Sequence, residues 1–106
     1  MITRFAPKDY QATIDRIASA SVYAPDFNIG VEPYNVTFTL DEIFDDIFYG
    51  VNNVKAKTKK PEKLAIIEQV IVKLIEAKTA LAANELRSGR EALFEADDLF
   101  RSVRRA

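Results

Sequence analysis

Along most of the chain apolar residues recur every three or four positions, and along one short segment they recur every second. From Pro7 to Ser21, Tyr10, Ile14, Ile17 and Ala18 keep helical spacing, and proline is tolerated in a first turn. That predicts a first helix over 7–21. Pro25, Gly30 and Pro33 then interrupt the rhythm, and Tyr34, Val36, Phe38 and Leu40 alternate with Asn35, Thr37 and Thr39, the pattern of a strand over 34–39. A lone strand leaves backbone groups unpaired, so it needs Met1 to Phe5, the stretch around Ile29 to Val31, or a strand of another chain beside it.

Thr39 and Glu42 have the spacing of a capping box, in which hydroxyl and carboxylate satisfy free amides at a helix start. Behind them Ile43, Phe44, Ile47, Phe48 and Val51 form one stripe, predicting a second helix. Lys55 to Lys60 reads as a polar link, and Pro61 opens a third, long helix. There Leu64, Ile66, Ile67, Val70, Ile71, Leu74, Ile75, Ala77 and Leu81 cover about half the circumference, so this helix should touch two or more neighbours. Lys78 falls inside that arc. Snorkelling of its amine past apolar neighbours is the expectation, with a carboxylate of another helix or subunit as the alternative.

Ser88-Gly89-Arg90-Glu91 repeats the capping-box pattern and predicts a break before Leu93, Ala96, Leu99, Phe100 and Val103 form a last helix; uninterrupted continuation is the alternative. The fold class that follows is mainly α: a small four-helix bundle-like domain with a short β-strand or two-stranded ribbon near the N-terminal half. Residues 1–106 are read as one compact domain, because dividing so short a chain would leave neither half an adequate interior.

Composition changes this picture little: a chain 48% hydrophobic and 29% charged folds rather than staying disordered. Fifteen basic and sixteen acidic residues nearly cancel, so the molecule lacks an overall field for gathering phosphates and any electrostatic function must be local. The first residues lack the apolar run of an export signal and no stretch could span a bilayer, so the expectation is a soluble, cytoplasmic protein without membrane partners. On that reading the glycosylation pattern Asn35-Val36-Thr37 carries no meaning.

The chemical inventory is narrow. Without histidine or cysteine the commonest general base, the usual zinc ligands and thiolate nucleophiles are missing. Gly30, Gly50 and Gly89 are too scattered to cradle a nucleotide phosphate. Asp45, Asp46, Asp97 and Asp98 are the carboxylates left for acid–base work, but all are read as solvated helix surface. Glu91, Glu95 and Asp98 lie on adjoining turns but lack the loop geometry of a cation site. The expectation is a protein with no catalytic residues, no metal and no cofactor.

Binding candidates remain. Asp41, Glu42, Asp45 and Asp46 form two like-charged pairs four residues apart, opposite the apolar stripe; such pairs cost about 0.2 to 0.5 kcal/mol each, so a basic group should face them. Lysines of the same fold could supply it, or a basic surface on another protein. The alternative site is basic: Lys55, Lys57, Lys59, Lys60 and Lys63 with Arg101, Arg104 and Arg105 would suit nucleic acid if they met in space, which nothing in the sequence requires. A second copy of the chain is a further candidate, through the broad face of the third helix; alternatively the strand and the aromatic loop before it, Tyr23, Phe27 and Tyr34, could add to a partner's sheet edge. The sequence therefore reads as a non-enzymatic interaction protein (an adaptor, assembly component or small inhibitor), with nucleic-acid association as the alternative.

Overall fold

The computed structural model describes all 106 residues. Helix α1 spans Tyr10–Tyr23 and starts with its apolar rhythm, three residues after Pro7, because Asp9 caps it by accepting the Ala12 N–H at 2.8 Å. Strands β1 (Asn28–Val31) and β2 (Tyr34–Thr37) follow as an antiparallel ribbon in which Ile29 faces Val36 and Val31 faces Tyr34. The strand's partner is thus the stretch around Ile29, within the same chain. Its pairing ends at Thr37, after which Phe38 N–H bonds the Phe27 carbonyl and Thr39 turns to cap the next helix.

Helix α2 (Leu40–Lys57) carries the expected capping box, with Thr39 and Glu42 bonded reciprocally. Helix α3 (Pro61–Ala82) begins at its proline as expected. Helix α4 (Leu86–Ser102) ends in a 3-10 turn over Val103–Arg105. The break between α3 and α4 is real but lies at Ala83–Glu85, earlier than Ser88. Asn84 adopts the left-handed backbone there (φ 60°), a conformation asparagine tolerates better than most residues. Ser88 is therefore inside α4. Gly89 serves packing instead: a Cβ on it would stand 2.5 Å from Leu81 Cγ, so its absence lets α3 and α4 close against each other.

The four helices alternate in direction around one core of Ile14, Ile17, Ile43, Phe44, Ile47, Val51, Ile67, Val70, Leu74, Leu93, Ala96 and Phe100. As its wide apolar arc demands, α3 packs on both α2 and α4. Val72 and Ile75 on its outer side stay exposed. Of the aromatics near the ribbon, Phe27 is buried, whereas Tyr23 and Tyr34 are about half exposed. No helix is long and apolar enough to cross a membrane.

Candidate functional site

The acidic residues of α2 are largely taken up within the chain. Asp46 is a correction to the sequence reading, being fully buried where solvated surface was expected. Its carboxylate accepts the Thr3 N–H at 2.7 Å and lies 3.5 Å from Nη1 of Arg16, itself only 8% exposed. Arg16 donates through Nη2 to the Phe5 carbonyl at 2.8 Å and places its guanidinium 5.1 Å from the Phe38 ring centroid. Burial lowers the Arg16 pKa, and the Asp46 charge opposes that shift.

The other three carboxylates also have partners. Asp45 meets the Met1 ammonium at 2.7 Å, and Glu42 is spent in the capping box. Asp41 meets Lys78 at 3.2 Å across the α2–α3 interface, so Lys78 uses a carboxylate of another helix instead of simply snorkelling. Lys55, expected in the basic run, reaches Glu68 on α3 at 2.5 Å. Glu91 and Glu95 pair with Arg87 and Lys73, and no three carboxylates converge to hold a metal ion.

Basic residues gather at one end of the bundle for a topological reason. Alternating helix directions bring the start of α1, the end of α2, the start of α3 and the end of α4 together. The stretches that the sequence leaves far apart, 57–63 and 101–105, therefore become neighbours. Lys60 Nζ donates to the Ala106 carbonyl at 3.0 Å, tying the lysine link to the C-terminal turn. Lys63 and Arg104 line one hollow of about 220 Å³ with Tyr10, Val54, Thr58 and Val103. Lys57 lines an adjoining hollow of about 240 Å³ with Lys8, Asp9, Tyr10 and Asn53 among its neighbours, and Arg101, Arg104 and Arg105 line a third of about 190 Å³ with Tyr10, Gln11 and Ile14.

No family model, curated protein or solved structure matches this chain. The residues themselves must carry the functional reading. This end holds eight of the fifteen basic residues (Lys8, Lys57, Lys59, Lys60, Lys63, Arg101, Arg104 and Arg105) and four of the sixteen acidic ones (Asp9, Glu62, Asp97 and Asp98), an excess of four positive charges. Among the basic members only Arg101 has a carboxylate partner, Asp97 at 3.0 Å. Cations at the ends of α2 and α4 also satisfy the partial negative charge of a helix C-terminus. The first turn of α3 has no side-chain cap, leaving backbone N–H groups directed toward the same end.

Two members of this surface, Lys8 and Tyr10, are missing from the sequence-derived site. Lys8 stands alone before a helix, and Tyr10 reads as one more apolar-face residue. Helix-direction parity is the signal that relates them to the lysine and arginine clusters. A larger hollow of about 300 Å³ on α4, lined by Leu86, Arg87, Arg90, Glu91 and Phe94, lacks comparable free charge. There Arg87 is paired with Glu91, and Arg90 donates to the Ser21 carbonyl.

Proposed function

We propose that the protein is a non-enzymatic binding module whose basic end docks on the phosphate backbone of nucleic acid. The observation that supports this reading is the convergence of Lys57, Lys63, Arg104 and Arg105 around Tyr10, none of them paired with an acidic side chain. Unpaired cations at one end gather phosphates by releasing the counterions that phosphates hold, without a need for base-specific contacts. Net charge near zero does not oppose this, because screening over about 8 to 10 Å makes the local excess decisive.

Docking on a basic protein surface through Asp41, Glu42, Asp45 and Asp46 has less to support it. Of the four, only Asp41 keeps most of its side chain in solvent, 80% exposed even while paired. The test is a salt series of nucleic-acid binding by fluorescence anisotropy. Binding that weakens steeply with salt and is lost in the Lys57→Glu, Lys60→Glu, Lys63→Glu triple variant supports the proposal. Absence of binding by the wild-type protein at low salt overturns it.

A further inference from the structure

The basic end has a chain of aromatic and guanidinium contacts at its centre. Phe100 is fully buried, and its ring centroid lies 4.9 Å from that of Tyr10. The Tyr10 hydroxyl donates to the carbonyls of Phe100 and Arg101, which holds the ring against α4. Arg104 in turn lies with its guanidinium carbon 5.0 Å from the Tyr10 centroid, and its Nη2 donates to Gln11 Oε1 at 3.3 Å. A series of planar groups thus runs from the core outward, ending in an exposed guanidinium with a hollow on each side of it.

Those two hollows, of about 220 and 190 Å³, fall below the roughly 300 Å³ at which small-molecule pockets begin. Each is too small to enclose a whole ligand, so only part of one, such as a single ring, can seat there. Val54 and Val103 make one of them apolar at its floor, and Ile14 contributes to the other. A duplex keeps its bases stacked inside and offers this surface only phosphates, leaving apolar floor and guanidinium plane in water. An unpaired strand offers phosphates and exposed base faces together, and bases stack readily on arginine planes and aromatic rings.

We propose that the basic end takes single-stranded nucleic acid, with one base stacked on the Arg104–Tyr10 pair and the flanking phosphates on Lys63 and Arg105. This rests on the nucleic-acid reading of the same surface and narrows it to unpaired strands. The decisive probes are three labelled DNAs of equal length: oligodeoxythymidylate, an abasic strand with the same phosphates, and a duplex. Base stacking should favour oligodeoxythymidylate over both of the others by roughly tenfold. Arg104→Lys, which keeps the charge but loses the plane, should remove the difference between oligodeoxythymidylate and the abasic strand, with an unchanged melting temperature showing that the fold is intact.

Equal affinity for all three DNAs, or preference for the duplex, overturns the single-strand inference while leaving phosphate docking in place. Failure of all three to bind at low salt removes the docking proposal itself, and this inference with it. Retention of the thymidylate preference in Arg104→Lys also overturns the stacking assignment.

Discussion

Oδ2 of Asp46 on α2 lies 3.5 Å from Nη1 of Arg16 on α1, and this is the ion pair whose two side chains are both buried. Removing one partner of such a pair leaves the other charge dry and unanswered. Asp46→Ala should therefore cost about 3–5 kcal/mol in urea unfolding, a large share of the stability typical of a small domain. Replacing both partners, as Arg16→Met with Asp46→Leu, should cost less than Asp46→Ala alone. A loss below about 1 kcal/mol for Asp46→Ala would show that the pair does not lock α1 to α2.

Gly50 gives a second test of how closely those helices approach. A Cβ there would stand 2.3 Å from Thr13 Oγ1 and 2.9 Å from Pro7 Cγ. Alanine normally stabilises a helix interior relative to glycine, yet Gly50→Ala should destabilise by about 1–3 kcal/mol through overpacking. Gly30→Ala is the control. Its nearest new contact would be Asn35 Oδ1 at an ordinary 3.6 Å, so its unfolding midpoint should shift by no more than about 0.5 kcal/mol.

Lys73 links α3 to α4 through Glu95 at 2.8 Å, with Glu76 beside it. Hydrogen bonding to Glu95 is the largest cause raising its pKa above the usual 10.5, followed by hydrogen bonding to Glu76. A raised folded pKa means that the contribution is fully present below pH 10.5 and fades as pH climbs through the folded value. The stability difference between wild type and Lys73→Gln should accordingly be constant up to that point and shrink beyond it. Chemical denaturation across the alkaline range measures this, and a difference that grows with pH would contradict the assignment.

Phosphate docking makes a quantitative prediction for single charge removals. Lys57→Gln and Lys63→Gln should each weaken binding across all sequences and reduce the slope of log affinity against log salt by about one. Asp41→Asn, at the opposite end of α2, should leave that slope unchanged. A change of similar size but opposite sign from Asp41→Asn would mean that net charge, not the basic end, governs the interaction.

Much of this arrangement was legible in the sequence because local rules and packing agree. Thr39 and Glu42 mark the start of α2, Pro61 that of α3, and the apolar spacing identifies the core faces of both. The α3–α4 break was displaced because Ser88 and Glu91 mimic a cap, whereas the chain turns at Asn84 through a left-handed residue. Asp46 was misplaced for a different reason. Its burial depends on Arg16 and Thr3, thirty and forty-three residues away, and no periodicity within α2 reveals partners that only the tertiary fold supplies. The basic end was legible as two charge clusters but not as one surface, since their meeting follows from helix direction.

Alternation of the four helices has a consequence for the molecule as a whole. With four surplus positive charges at one end and five surplus negative ones over the remainder, a chain of net charge −1 divides its charge unevenly along the bundle. If the docking proposal holds, such a body would turn in the field of an extended anion before touching it and arrive end-on with the Tyr10 face leading. Orientation, not bulk attraction, is what its nearly neutral composition leaves available.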